Sequence, residues 1–445
     1  YKEAREYLYG TMEAEPDEEA AHEIMLEEAE QGNAYAMHDM GKIYAQGIGC
    51  EADKEMADVW YKKALAAMQY VEQKKKNTYL EYRIGKMYQY GLGTDENLEQ
   101  AAEWFFKAAA KEHKYALYSL GMLYLQGKGV EQDEETAYSL LFRSYSKGNP
   151  YAAYELGKLY EAGCGTEKNQ EKSENCYRAA FLGFLNLEKK SKDDTLWYRI
   201  GCMYLHGIGT EADETKAEHY LTKASDYGNA HASYQLARLY IRQESQKLSG
   251  ESGTAPDYAK IAKAVKWLEE SAAQENLFAD YALGRLYREG TLVVADMEKA
   301  VFHLKRAADA GNSYAQYQLG KIYLEEDTRN IPAAIQYLTL AAKQKNEFAA
   351  YRLGKLYLAG EELPKNTELA LHYLKMAADT GNQYAQYALG KVYLIGKNVQ
   401  QDKELAYDYF LKSAEQGNIY AAYFLEHWND MPHPDLLLMA TRLMR

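Results

Sequence analysis

The sequence has little cysteine, little proline and no long apolar run. Its 445 residues include four cysteines and seven prolines. The cysteines form no C-x-x-C pair and share no regular spacing, which argues against a zinc site or a disulfide framework. No apolar run approaches the roughly 20 residues that a membrane-spanning helix needs. The scarcity of proline leaves room for uninterrupted helices.

These shortages bear on where the protein works and on what it binds. Thiols outside any disulfide pattern fit a reducing compartment, so we expect a cytoplasmic protein. No secretory signal is visible, but the chain begins at Tyr1 rather than Met, so we expect further sequence upstream, and secretion stays open. The formal net charge is −14. An acidic chain is a poor general ligand for nucleic acid, although a local basic strip is compatible with it.

The chain does contain one phrase, written repeatedly. "GNSYAQYQLGKIYLEE" at 311–326 returns as "GNQYAQYALGKVYLIG" at 381–396 and as "GNPYAAYELGKLYEAG" at 148–163. A small residue of "LGK-x-Y" anchors each copy, most often at a spacing of 36 residues: Gly41, Gly85, Gly121, Gly157, Gly201, Ala237, Gly284, Gly320, Gly354 and Gly390. Further copies in register precede Gly41 and follow Gly390, so the array fills residues 1–430.

Each copy reads as two helices. In the first, Ala315, Leu319, Ile322 and Tyr323 form an apolar stripe at helical spacing. Before each second helix stands an Asp or Asn that can accept hydrogen bonds from unpaired N–H groups, as an N-cap does: Asp17, Asp53, Asn97, Asp133, Asn169, Asp213, Asp296, Asn330, Asn366 and Asp402. No copy can bury its stripe alone, so neighbours must stack. The sequence therefore predicts an all-α solenoid of about eleven helical hairpins.

The pattern A-x-x-x-L-G-x-[LIM]-Y-x-x-G-x-G-T-x-x-D, as at 82–97 and 198–213, resembles the Sel1-like repeat, a relative of the tetratricopeptide repeat. The resemblance implies a right-handed superhelix that acts as an adaptor or scaffold, with first helices along its concave side. The chain departs from the pattern at Ala237, at the missing second glycine after Gly290, Gly360 and Gly396, and at 325–326, where no glycine turn occurs.

Three insertions and the last stretch fall outside the repeat. Residues 72–77 and 188–194 lengthen equivalent copies, and residues 242–256 are expected to form a mobile surface loop. The end, "MPHPDLLLMATRLMR" at 431–445, predicts an apolar capping helix whose lack of polar surface suggests that the native chain continues. Its wording resembles the end of the Sel1-repeat region in mobilisation relaxases of Gram-positive gut bacteria.

No motif singles out a catalytic, cofactor or metal site, and we expect a protein that is not an enzyme. The paired glycines of "GIGC", "GLGT" and "GIGT" lack the preceding strand and third glycine of a dinucleotide loop, so a turn between helices is the better interpretation. The histidines, such as His219, His303 and His372, have no second histidine at metal-binding spacing, and we expect them to be solvated or hydrogen-bonded.

A second face of the first helices carries the candidate partner-binding residues. Tyrosine stands three residues before the anchor, a cation stands one after it, and another aromatic stands six before it. A cation four residues after a tyrosine can lie against its ring. The six candidate pairs are Tyr82 with Lys86, Tyr154 with Lys158, Tyr281 with Arg285, Tyr317 with Lys321, Tyr351 with Lys355, and Tyr387 with Lys391.

The same residues admit a plainer interpretation. The tyrosines can be framework aromatics that pack between adjacent first helices, and the cations can be merely solvated. The functional interpretation predicts one continuous positive strip of Arg285, Lys321, Lys355 and Lys391 on the concave face.

Three functions were weighed. The main hypothesis is a non-enzymatic scaffold that holds a protein segment or extended peptide with acidic groups in a groove lined by tyrosine and lysine. The alternative is an accessory DNA-handling domain of a mobilisation relaxase. A hydrolase is a distant third, because no site is visible.

Overall fold

The computed structural model describes residues 1–9, 17–189, 192–249, 255–397 and 399–428. In these residues the secondary structure consists of α-helices and one 3-10 turn at Glu326–Thr328, with no strand. The chain divides into an N-terminal unit, Tyr1–Asn229, and a C-terminal unit, Ala230–Arg445. Each unit is a stack of helical hairpins, which confirms the predicted all-α solenoid.

The N-terminal unit contains six hairpins, each a first helix followed by a second. Its helices are α1 Lys2–Tyr9, α2 Glu18–Glu30, α3 Ala34–Gln46, α4 Lys54–Lys74, α5 Thr78–Tyr90, α6 Leu98–Ala110, α7 Lys114–Gln126, α8 Glu134–Ser146, α9 Pro150–Ala162, α10 Gln170–Glu188, α11 Asp194–His206 and α12 Glu214–Asp226.

The C-terminal unit contains five hairpins and a last first helix within its described residues. Its helices are α13 Ala230–Ser249, α14 Tyr258–Ala273, α15 Leu277–Glu289, α16 Met297–Asp309, α17 Ser313–Ile322, α18 Ile331–Lys343, α19 Glu347–Ala359, α20 Thr367–Asp379, α21 Gln383–Ile395, α22 Lys403–Glu415 and α23 Ile419–Glu426.

The second helices begin where the sequence predicts. All ten predicted Asp and Asn caps precede a second helix and accept a backbone N–H, as Asp213 does from Lys216 at 3.0 Å. The first helices are capped by residues of the repeated motif. Asn312, for example, accepts the N–H of Ala315 at 2.9 Å.

The core lies between the two helices of each hairpin and between neighbouring hairpins. Ala315, Leu319 and Ile322 are fully buried, as predicted. A Cβ atom on the anchor Gly320 would lie 2.5 Å from Leu338 Cγ on α18, so glycine is what lets these helices approach. Tyr323, the fourth residue of the predicted stripe, also packs against this core, although it is only partly buried. Helix α17 ends at Ile322 where the glycine turn is missing, and the Tyr323 ring stacks on Tyr337.

The paired glycines make turns between helices, which confirms the structural interpretation. Gly163 ends α9 with φ +78°, and Gly165 has φ +65°. A Cβ atom on Gly165 would lie 2.1 Å from the carbonyl oxygen of Glu134, at the start of α8. The second glycine therefore seats the loop against the second helix of the preceding hairpin.

The predicted surface loop at 242–256 is wrong over its first half. Helix α13 continues to Ser249, and Glu244 within it is fully buried. Its carboxylate accepts the Lys247 ammonium and the N–H of Asp257, at 2.8 Å and 2.7 Å. The bond to Asp257 fastens the extended helix to the N-cap of α14. The predicted capping helix at 431–445 lies outside the described residues.

Candidate partner-binding face

Five of the six candidate tyrosine–cation pairs form the expected contact along the first helices. The charged group lies over the ring at 4.8 Å for Lys391 and Tyr387, 5.0 Å for Lys158 and Tyr154, and 5.7 Å for Lys321 and Tyr317. The distance is 6.0 Å both for Arg285 with Tyr281 and for Lys355 with Tyr351. The i, i+4 spacing on a helix explains this regularity.

The sixth pair is wrong. Lys86 lies over Tyr90 at 4.5 Å and hydrogen-bonds to its hydroxyl. Tyr82 packs against His113 instead, with ring centroids 4.9 Å apart. A histidine cap on α7 therefore takes the place that the lysine was expected to occupy.

The tyrosines three before the anchor pack between adjacent first helices. Each meets the aromatic that stands six before the next anchor, with centroids 5.9–6.3 Å apart: Tyr281 with Tyr314, Tyr317 with Phe348, Tyr351 with Tyr384, and Tyr387 with Tyr420. Burial raises the pKa of Tyr387 to about 12. These contacts support the framework interpretation for the tyrosines named from the sequence.

The aromatics six before the anchor are the exposed members of this ladder. Tyr314, Phe348, Tyr384 and Tyr420 keep 43–56% of their surface exposed. A ring that is packed on one side and open on the other can stack against a ligand with little further loss of conformational entropy. The sequence pattern contained these positions, but periodicity alone did not separate the open ring from the packed one.

The four cations do not form the predicted continuous strip. Arg285 is paired with Glu289 at 2.7 Å, one turn along its own helix. Lys391 is only 5% exposed. In the other unit, Lys158 is paired with Glu155 at 3.0 Å. The strip therefore shrinks to its middle members, Lys321 and Lys355, neither of which forms a salt bridge among the described residues, although the charge of Glu325 acts on Lys321.

Arg352 joins these two and was missed from the sequence. It is exposed on α19, two residues before the anchor. Burial and then the charges of Arg288 and Arg352 lower the pKa of Lys321. Burial and the charge of Lys355 lower the pKa of Lys391 to about 8. Three pairs of cations are thus close enough to repel each other: Lys321 with Arg288, Lys321 with Arg352, and Lys355 with Lys391. Arg also stands two before the anchor in two other copies, as Arg83 and Arg199, but the position carries no repeat-wide preference.

A cavity of about 430 Å³ lies on this face of the C-terminal unit, between α19, α21 and the start of α23. Its aromatic wall is Tyr351, Tyr384, Tyr387 and Tyr420. Arg352, Lys355 and Lys391 supply cations, Leu356 and Leu358 supply apolar surface, and Glu361 and Glu362 lie at its edge. Glu362 is already bonded to Arg329. The cavity thus combines open rings, apolar surface and an excess of positive charge.

The described residues contain neither a metal-binding group of side chains nor a membrane-spanning helix. They contain no group of three His, Cys, Asp or Glu side chains arranged to hold a metal ion. None of the described helices is long and apolar enough to cross a membrane. His303, one of the histidines noted in the sequence, is hydrogen-bonded to Asp280 at 2.9 Å.

Comparison with known proteins gives the repeat a family. The Sel1 repeat model matches eleven segments: residues 4–33, 34–67, 79–113, 114–149, 150–182, 198–229, 230–276, 277–312, 313–346, 348–382 and 383–418. No curated protein sequence matches the chain.

Solved structures with similar folds include three bacterial proteins. A protective antigen of uropathogenic Escherichia coli is 26% identical, with TM-score 0.49, over 100% of this chain and 90% of that one. A Sel1 repeat protein from Oxalobacter formigenes is 27% identical, with TM-score 0.42, over 56% and 92%. An immunity protein from Pseudomonas aeruginosa is 23% identical, with TM-score 0.32, over 50% and 81%.

Proposed function

The chain belongs to the Sel1 repeat family, and we propose that it is a non-enzymatic scaffold that binds an extended, acidic segment of another protein across α19, α21 and α23. Members of this family are generally protein-interaction scaffolds and are typically not catalytic. The observation that carries the finer proposal is the cavity on these three helices, with its open aromatic rings and its cations.

The shape of the site favours a peptide. The aromatic ladder runs from one first helix to the next, so its exposed rings offer successive stacking positions for successive side chains. Tyr384 and Tyr420 are two such rings, one from each of two neighbouring copies. Pockets for side chains along one extended surface are the usual means by which a domain reads a linear segment.

The charge of the site favours acidic groups. Arg352 and Lys355 are exposed at the cavity without a carboxylate partner in the described part of the chain, whereas the chain as a whole carries a net charge of −14. An acidic partner is therefore repelled by most of the surface and attracted at this site. Such attraction acts over about 8 Å at physiological ionic strength, so it gives position and specificity more than raw affinity.

The test is selection of peptides from a displayed random 12-residue library on the purified chain. We expect enrichment of peptides that contain Asp or Glu beside an apolar residue. Their affinity, measured by fluorescence polarisation, should fall at least tenfold between 50 mM and 500 mM salt. The double variant Arg352→Glu, Lys355→Glu should abolish binding.

A control separates this site from general electrostatics. Lys305→Glu with Lys343→Glu makes the same change in net charge on exposed lysines of the second helices α16 and α18. Equal loss of binding in both double variants, or enrichment of no peptide, would contradict the proposal. A single-stranded DNA oligonucleotide that binds more tightly than the selected peptides would favour a nucleic-acid partner instead.

A further inference from the structure

Two buried polar atoms at the cavity have no hydrogen-bond partner among the described residues. They are the hydroxyl oxygen of Tyr387 and the side-chain nitrogen of Asn418. The two residues are only 8% and 5% exposed, and both line the cavity. A buried donor without a partner is uncommon and destabilising, so its presence at a cavity calls for an explanation.

The repeat does not require this arrangement at Asn418. The equivalent cap residues Asn149 and Asn276 donate the same nitrogen to a serine hydroxyl, at 3.0 Å and 2.9 Å. Ser413 stands at the corresponding position before Asn418, and its hydroxyl donates to a backbone carbonyl as in those copies. The amide nitrogen of Asn418 is nevertheless unpaired, although its oxygen still caps α23.

The side chains around these two atoms are hydrogen-bond donors. The asparagine nitrogen and the lysine ammonium groups can only donate hydrogen bonds, and the tyrosine hydroxyl can donate. Lys355 and Lys391 also repel each other across the same cavity, since the charge of Lys355 contributes to lowering the pKa of Lys391. A ligand that satisfies the two unpaired atoms and lies beside the two ammonium groups must accept hydrogen bonds and carry negative charge. A carboxylate, with two oxygens and about four acceptor sites, meets that requirement.

We infer that Tyr387 Oη and Asn418 Nδ2, beside the ammonium groups of Lys355 and Lys391, form a subsite for one carboxylate of the bound peptide. This inference rests on the proposed function and specifies which chemical group the site reads. The apolar surface of Leu356 and Leu358 in the same cavity then receives a neighbouring apolar side chain. The carboxylate can come from an Asp or Glu side chain or from the C-terminus of the segment.

The test uses Tyr387→Phe on the full chain with the selected peptides. This change removes one hydroxyl and keeps the ring that packs on Phe410 and Tyr420. Because the hydroxyl has no partner in the free protein, its removal should leave the unfolding midpoint unchanged or higher. Peptide affinity should fall about ten- to a hundredfold, the usual effect of losing a hydrogen bond to a charged group. A lowered unfolding midpoint with unchanged affinity would overturn the inference.

Tyr357→Phe is the matched control. It removes a tyrosine hydroxyl from α19, but its ring stacks on Tyr373 of α20 and does not line the cavity. Peptide affinity should be unaffected. Asn418→Asp is a second probe, because it keeps the oxygen that caps α23 and replaces the donor nitrogen with an acceptor. It should weaken binding at least tenfold.

Changes in the peptide distinguish the sources of the carboxylate. Replacing the selected Glu or Asp by Gln or Asn should weaken binding to the wild-type chain but have little effect on Tyr387→Phe, because the two changes remove one interaction. The same coupling with an amidated C-terminus would assign the subsite to a terminal carboxylate. If peptides bind and neither change couples to Tyr387→Phe, the carboxylate subsite is wrong although the scaffold proposal stands. If no peptide is selected, the proposed function itself fails.

Discussion

In one hairpin of the N-terminal unit a buried carboxylate meets a lysine, whereas in two hairpins of the C-terminal unit glutamines occupy the same two positions. Glu81 on α5 accepts the ammonium of Lys111, the C-cap residue of α6, at 2.6 Å. Gln316 and Gln344 stand at the equivalent positions of α17 and α18, and their side chains are 2.9 Å apart. Gln386 and Gln416 repeat this pair at 2.7 Å.

The neutral pairs keep the hydrogen bonds and remove the charge. The amide nitrogens of Gln316 and Gln386 also donate to the carbonyls of Ala308 and Ala378. No carboxylate is then placed at this position of α17 or α21, whereas Asp280 occupies it on α15 and pairs with His303 and Arg306. The cations of α19 therefore remain unneutralised, while Lys158 in the other unit has Glu155 on its own helix. The difference suggests that the hairpins with a buried acid, α5–α6 in one unit and α15–α16 in the other, use charge for internal packing, whereas the hairpins around α19 leave it for a partner.

The loops after the first helices differ as well. In the N-terminal unit they carry paired glycines, and the second glycine lies against the preceding second helix. In the C-terminal unit Leu292 stands at the position of the second glycine after α15, and it is buried. The space between the loop and the preceding hairpin is therefore filled by backbone contact at the second glycine in the N-terminal unit, and by the side chain of Leu292 after α15.

The largest expected change in the free energy of unfolding comes from adding a side chain at Gly165. Gly165→Ala should lower the free energy of unfolding by roughly 3–5 kcal/mol, because it adds a Cβ atom 2.1 Å from a carbonyl oxygen at positive φ. Urea unfolding at pH 7 measures it. Leu292→Gly should cost about 2–4 kcal/mol for the opposite reason, a buried side chain lost.

Gly148 supplies the control for backbone strain alone. Its φ is +74°, but nothing lies within 4 Å of an added Cβ atom. Gly148→Ala should therefore cost only about 1 kcal/mol. If Gly165→Ala costs no more than Gly148→Ala, the second glycine is there for turn geometry and not for close contact.

The features that repeat were predictable from the sequence, and those that depend on one neighbour were not. Caps such as Asp213 and anchors such as Gly320 solve a local problem in every copy, so periodicity exposes them. The pairing of Arg285 with Glu289 was visible as an i, i+4 spacing and was overlooked. The burial of Lys391 depends on how α21 packs within its own unit, and the burial of Glu244 depends on an extended helix. Neither has a signature in the repeat.

Stability is expected to change with pH in opposite directions at one buried group of each unit, Lys391 and Cys202. Burial first, and then Lys355, lower the pKa of Lys391 from its ordinary value to about 8 in the folded chain. Between pH 8 and 9.5 the unfolded chain holds a proton there that the folded chain has released, so stability rises with pH. Buried thiols act oppositely, because burial raises the pKa of Cys202 to about 11. The folded chain then keeps a proton that the unfolded chain loses.

Substitutions separate the two contributions. From pH 8 to 9.5, Lys391→Met should gain about 1.5 kcal/mol less stability than the wild-type chain, because the full 1.36 kcal/mol per pH unit is reached only where the folded-state lysine is mostly deprotonated. Cys202→Ala should shift the same pH dependence in the other direction. Both are read from urea unfolding at the two pH values. An unchanged pH dependence in Lys391→Met would mean that this lysine keeps its proton in the folded chain.

The smallest expected change in stability comes from replacing the Glu81–Lys111 pair with the two glutamines found at Gln316 and Gln344. Lys111→Gln alone should cost about 1–2 kcal/mol, because it leaves the carboxylate of Glu81, which is only 2% exposed, without its cation. The lysine is itself 41% exposed, so solvation by water reduces that loss.

The double variant Glu81→Gln, Lys111→Gln copies Gln316 and Gln344. Its free energy of unfolding at pH 7 should lie within about 1 kcal/mol of the wild-type value, because a neutral pair needs less desolvation than a charged one. A double variant as unstable as the single one would show that the N-terminal unit needs the charges themselves. The contrast between the units would then reflect different packing, and the unneutralised cations of α19 would lose their explanation as charge left for a partner.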